Sequence, residues 1–136
     1  MFGSLDISTS GLVAQRIRLD TIAGNIANAQ ATQREDGLPG PYKRRMALFA
    51  TGDGQGGPGV HVQKVVEDPS RGGLVFEPWH PHAIQSGPEK GYVEYPNVDY
   101  PTEMVNAMMA SRAYEANITA MQVTKDMMSS TLRLLA

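Results

Sequence analysis

Two stretches of this chain carry a seven-residue apolar repeat, and they lie at its opposite ends. From Asp99 to Leu135 the repeat has two columns, Met104, Ser111, Ile118, Lys125, Leu132 and Ala107, Tyr114, Met121, Met128, Leu135. Eight of these ten positions are apolar, a period that belongs to a helix presenting one continuous seam. No Gly or Pro follows Pro101, and Ala, Met, Leu, Glu, Gln, Lys and Arg, all good helix formers, dominate. Asp99 can cap the first turn, and Pro101 falls where a missing N–H matters least. Such a helix is roughly 50 Å long, whereas a compact globule of 136 residues is less than about 40 Å across. The expected molecule is elongated, and one seam of the helix needs a partner.

The second repeat runs from about Ser4 to Ala29. Leu5, Leu12, Leu19 and Ile26 recur every seven residues, with Ile22 and Ala23 on the same stripe. Ser4 is the expected cap, with Asp6 in the first turn. Gly11 and Gly24 weaken this helix by up to about 1 kcal/mol each, so its stability must come from packing. The C-terminal seam is the surface available for that. The stretch Gly24-Asn-Ile-Ala-Asn-Ala-Gln-Ala-Thr32 closes the helix with small residues. Asn25 and Asn28, three apart, can bond a neighbour's main chain, or simply punctuate the helix end, the favoured reading.

Between the repeats the pattern changes. Residues 33–97 hold eleven of the fourteen glycines and eight of the nine prolines, which excludes long helices. Short strand-like runs remain at Tyr42–Phe49, Val60–Val66, Leu74–Phe76 and Tyr92–Tyr95, separated by Gly, Pro and Asp turn signals. The predicted class is α+β: long N- and C-terminal helices paired as a coiled coil (residues 1–32 and 99–136) around a small β-rich insert (residues 33–98).

Composition narrows the function. A net charge of −2 and a pI near 5.9 leave no nucleic-acid footprint and no polybasic membrane anchor. Cysteine is absent, which removes disulfides and thiolate chemistry. No apolar run reaches the roughly 20 residues of a membrane span, and residues 1–20 lack the pattern of a cleaved secretory signal. Direct membrane insertion is not expected.

Candidate chemistry is sparse. Gly52-Asp-Gly54-Gln-Gly-Gly57 fits a dinucleotide-loop pattern, but Pro58-Gly59 and a strand follow where a helix would have to open, so it reads as a hairpin tip. His80, His82 and His61 lack the convergent ligand set a metal needs. Trp79, between prolines, is a packing anchor or an interface contact. Lys43-Arg-Arg45 reads as a solvated or ion-paired face. Asn117-Ile-Thr119 matches a glycosylation acceptor but lies inside a helix. No nucleophile motif appears. Catalytic, cofactor and metal residues are therefore expected to be none, and an enzyme is not expected. Six of the eight methionines sit in the C-terminal repeat. Met109 and Met127 lie off the seam, so one partner cannot bury everything, which points to polymerisation.

Ser10-Gly-Leu-Val-Ala-Gln-Arg16, continuing through Leu19-Asp-Thr-Ile-Ala-Gly-Asn-Ile-Ala-Asn28 to Thr32, resembles the N-terminal signature of bacterial flagellar rod and hook proteins. Pro39–Arg45, Asp68–Ser70 leading to Phe76–Pro81, Gly91–Val98, Glu103-Met104 and Ser111–Asn117 narrow the resemblance to proximal rod proteins of the basal body, FlgC type, over nearly the whole chain. Trp79 and Tyr100-Pro101 depart from that pattern. The resemblance implies a structural subunit of a helical tube, with its terminal helices in the inner layer. It would leave the cell unfolded through the flagellar type III export apparatus and assemble in the periplasm. Its partners would be further copies, other proximal and distal rod subunits and the rod–membrane-ring adaptor. The expected assembly interface comprises Leu5, Leu12, Leu19, Ile22, Asn25, Ile26, Asn28, Met104, Ala107, Tyr114, Ile118, Met121, Met128, Leu132 and Leu135. Alternatives are another axial rod subunit, a periplasmic coiled-coil adaptor, or an enzyme that opens the cell wall.

Overall fold

A computed structural model describes the backbone from residue 2 and the side chains from residue 3, both to residue 136. Helix α1 spans Phe2–Ala27 and helix α2 spans Tyr100–Leu135. At 1.5 Å per residue they are about 39 and 54 Å long. Asp99 caps α2 as expected: its carboxylate accepts from the Thr102 amide at 3.3 Å and from the Thr102 hydroxyl, and Pro101 occupies the first turn. The start of α1 differs from expectation. The helix begins two residues earlier, so Ser4 lies inside its first turn and Asp6 beyond that turn.

The helices pack against each other in antiparallel fashion. Asn25 meets Glu103, and a Cβ at Gly11 would stand 2.8 Å from the Asn117 amide nitrogen. Both separations are fourteen residues, in opposite senses, so the register holds across two heptads. Gly11 is the point of close approach, which is why a residue that weakens a helix sits in this one. Extending the same register places Phe2 beside Asp126. The last turns of α2, Met127–Leu135, run past the start of α1.

The insert forms two separate open sheets rather than one closed body. Strands β1 (Arg45–Thr51) and β2 (Val60–Glu67) make an antiparallel hairpin, from Arg45 opposite Glu67 to Thr51 opposite Val60. A bulge between Leu48 and Phe49 leaves Gln63 as the extra residue on β2. Strands β3 (Leu74–Phe76) and β4 (Tyr92–Glu94) pair antiparallel, with Phe76 opposite Tyr92. Two-stranded ribbons are marginal alone, and the first hairpin rests on α1. Its tip is tied down: the Ser10 hydroxyl of α1 accepts from the Val60 amide at 3.1 Å. Gly59, at φ 125°, lies so close to Ser10 that a side chain there would collide with it.

β1 starts later than the apolar run at Tyr42 suggests, because asparagine side chains stand in for a strand. The Arg44 amide donates to Asn97 Oδ1 at 2.8 Å and the Arg45 amide to Asn25 Oδ1 at 2.9 Å.

The core is small. Its buried apolar residues are Ala14, Ile22, Tyr42, Ala83, Val93 and Ala110. Total accessible surface is 9162 Å², against roughly 6,900 Å² for a compact monomer of this mass. The excess surface carries large apolar side chains, half of the exposed ones on α2.

Candidate functional site

The most constrained chemistry lies where the end of α1, the start of β1 and the start of α2 converge. Glu103 and Asn25 are both fully buried there. The Asn25 side chain acts as a short piece of backbone: Nδ2 donates to the Arg45 carbonyl at 2.8 Å and Oδ1 accepts from the Arg45 amide. Oδ1 also accepts from the Tyr42 hydroxyl at 3.0 Å, and Nδ2 donates to Glu103 Oε2 at 3.1 Å. The other Glu103 oxygen accepts from Arg44 Nε at 2.5 Å. Every polar atom of this pair is satisfied, which a buried charge requires. Tyr42 is itself buried, and that burial pushes its hydroxyl pKa up. Of the two readings of Gly24–Thr32, Asn25 takes the first, bonding main chain within its own molecule. Asn28 takes the second, since its Nδ2 donates back to the Gly24 carbonyl at 2.9 Å.

An ion-pair lattice extends outward from this clamp. The run Lys43-Arg44-Arg45 is paired throughout, Lys43 with Glu94, Arg44 with Glu103 and Asp68, and Arg45 with Glu67. Arg34 reaches both Asp36 and Glu67 at 2.8 Å. Its hydrogen bond holds the Asp36 carboxyl down at about 2. Asp68 is lowered by the Ser70 hydroxyl and amide, and Glu89 by Arg71. These bonds tie turns to strands.

Of the column Met104, Ser111, Ile118, Lys125, Leu132, Ser111 and Ile118 are half-buried and the other three exposed. Within the chain, the residues of α2 that turn towards α1 are Glu103, Ala110, Asn117 and Thr124, one position earlier, alternating with Ala107, Tyr114, Met121 and Met128. Met104 and Leu132 are 42% and 65% exposed, and Leu135 is exposed as well. Ile118 is half-buried at the flank. The cause is steric. Gly11, Ala14 and Ala110 are buried where Asn117 lies against α1 and Glu103 bonds Asn25, so small and hydrogen-bonded residues occupy this part of the contact. On α1, Ile22 is buried, Leu5, Leu12, Leu19 and Ile26 are half-buried, and Ala23, expected on the apolar stripe, is exposed. Periodicity alone hid Glu103, although its spacing of four from Ala107 and seven from Ala110 was a usable sign.

The remaining motifs resolve plainly. The Gly-rich segment 52–59 is the hairpin tip. Asp53 Oδ1 accepts from the Gln55 and Gly57 amides, which lowers its pKa, and Gly52, Gly54, Gly56 and Gly59 take positive φ. Among the described residues no three His, Asp or Glu side chains converge on a metal position. His61 bonds the Gly52 carbonyl and His82 bonds Thr32, each at 2.8 Å. Trp79 is not a packing anchor within the chain, being 96% exposed. Asn117 of the glycosylation-like triplet faces Gly11 across the helix contact. Met109 and Met127 are exposed. Among the described residues no helix is long and apolar enough to cross a membrane.

Comparison with known proteins agrees with this architecture. Residues 5–34 match the family "Flagella basal body rod protein" and residues 89–134 match "Flagellar basal body rod FlgEFG protein C-terminal". The chain is similar along almost its whole length to the flagellar basal-body rod protein FlgC of Borreliella burgdorferi, at 41% identity over 99% of this chain and 97% of that one. The Bacillus subtilis protein of the same name is 38% identical over 98% and 97%. That of Salmonella typhimurium is 43% identical over 95% and 93%.

Proposed function

This chain belongs to the FlgC family of flagellar basal-body rod proteins, and on that premise we propose that it is a structural subunit of the proximal rod. It serves there as part of the motor's drive shaft and of the conduit for later subunits. The observation that carries this reading is the unburied apolar end of α2, where Met127, Leu132, Leu134 and Leu135 overhang α1. A further support is the surface excess of roughly 2,000 Å² over a compact monomer, more than one partner's share of a standard interface, about 800 Å².

In the assembled rod, α1 and α2 pair as a coiled coil in the inner layer, with the insert outside. Leu5, Leu12, Leu19, Ile26, Met104, Ile118, Met121, Met128, Leu132 and Leu135 supply contacts to further copies and other rod subunits. Ile22 and Asn25 serve the fold of the subunit itself, being buried within it. Fully burying a large apolar side chain contributes about 1.5–3 kcal/mol, so a handful per interface makes a stiff joint. The weak helix propensity of α1 keeps the chain unfolded for passage through the type III export apparatus, without a cleaved signal, to the periplasm.

Electron microscopy with subunit mass spectrometry of basal bodies from wild-type and deletion cells tests the reading. The expected result is the protein in the rod, and membrane rings lacking rod and hook in its absence. Intact rods without it would return the chain to the adaptor reading.

A further inference from the structure

The chain's single tryptophan sits at the tip of a turn that holds it away from the molecule. Pro78 and Pro81 flank it. The His80 amide donates to the Glu77 carbonyl and the Ala83 amide to the His80 carbonyl, and the His82 amide donates to His80 Nδ1, each at 3.0 Å. The backbone that presents it is already ordered, so binding there carries little further cost of ordering the loop. Tryptophan is among the residues that most often dominate an interface.

Elsewhere on the same chain, α1, β1 and the start of α2 border an open groove of about 380 Å³, a size that can bury a small ring. Its floor includes Ile22 and Met46, and the β1 side chains Leu48 and Phe49 leave apolar surface open in it. Arg18 also lines it, while the Arg45 guanidinium lies over the Tyr42 ring and beside Glu67. Arg18 has no ion-pair partner among the described residues. Thr21, Glu103 and Asn106 add polar edges. A groove with apolar walls, polar edges and one unpaired arginine matches an indole, which has an apolar body, an N–H donor and a face that attracts a guanidinium more strongly than any other aromatic residue does.

We propose that Trp79 docks into the α1–β1 groove of a second copy of this chain. Knob and groove are different surfaces, so the contact is heterologous, and repetition of it propagates as an open helical array instead of closing a dimer. The inference rests on the rod-subunit reading, which supplies neighbouring copies. It adds to that reading a specific contact made by the insert, outside the terminal helices.

Cysteine is absent from the chain, so a cross-link can be placed without background. A chain carrying Trp79→Cys and Leu48→Cys is expressed beside the unaltered chain, and isolated basal bodies are oxidised mildly and separated without reductant. A ladder of multimers of this chain is expected, with monomer alone from either single variant. Incorporated double variant that stays monomeric, or that cross-links to a different protein, overturns the proposal. If the double variant is kept out of rods, Trp79→Phe and Trp79→Ser are compared in the same mixed expression. Phe should enter at least about tenfold better than Ser; equal entry or equal exclusion overturns the proposal. Absence of the unaltered chain from rods would instead remove the rod-subunit reading.

Discussion

Asn25 and Glu103 are 78 residues apart in sequence and 3.1 Å apart in space, with no exposed surface on either. Their contact sets the register of the two helices. Glu103→Ala removes the only acceptor among the described residues within 3.5 Å of the Arg44 guanidinium and leaves that cation, mostly withdrawn from water, beside a cavity. Breaking a buried pair from one side destabilises by about 3–5 kcal/mol, reduced here because Arg44 keeps some solvent contact. Glu103→Gln preserves shape and should cost about 1–3 kcal/mol. Chemical denaturation followed by circular dichroism checks the order. An alanine variant as stable as the parent would mean that the clamp holds nothing.

Gly11 faces Asn117 across the helix contact. Gly11→Leu should separate the helices and abolish cooperative unfolding. In an Asn117→Ala background the obstruction is gone, and Gly11→Ala should then stabilise by about 1 kcal/mol through helix propensity alone. A double-mutant cycle measured by denaturation decides this. No difference in the effect of Gly11→Ala between the two backgrounds would place the close approach elsewhere.

Gln15, beside Ala14 on α1, has a buried side-chain oxygen without a hydrogen-bond partner among the described residues. Gln15→Met keeps the volume and removes that orphan, so it should raise stability by about 1 kcal/mol. A loss of similar size would reveal a bridging water.

Asp36 should titrate at about 2 in the folded chain, held there by Arg34. A carboxyl whose folded pKa lies below its unfolded value stabilises the fold above the unfolded pKa. That contribution is lost as pH falls from the ordinary 3.8 through about 2. Carboxyl carbon NMR gives the midpoint directly. Arg34→Ala should return it towards 3.8, and a parent midpoint already at that value would refute the pairing.

Met127→Ser with Leu132→Asp changes only exposed positions of the α2 overhang. The monomer's circular dichroism and melting should be unaltered while export continues, rods fail to form and swimming is lost. Motile cells carrying this variant would show that the overhang is not an assembly surface. Met109→Ser should weaken assembly from a different face of the same helix.

Much of the architecture was legible because local signals agreed with each other. Asp99 and Pro101 marked the start of α2, and glycine and proline density excluded long helices between the two repeats. The pairing column was not, because heptad reading favours large apolar residues. Gly11, Ala14 and Ala110 instead bring two backbones close and leave room for Glu103 and Asn117. Asn25 could be singled out by position, but its bonds to Arg45 depend on a strand remote from any local pattern. Trp79 drew notice from its prolines, while only the folded chain reveals that it packs against nothing of its own.

The long separation between Asn25 and Glu103 also fixes when the molecule can close. At 5–20 residues per second, a ribosome needs about 4–16 s to travel from one to the other. Throughout that time α1, weakened by Gly11 and Gly24, lacks its helical partner and has only the β1–β2 hairpin to rest on. The newborn chain therefore cannot close its helix pair until its last third has been made.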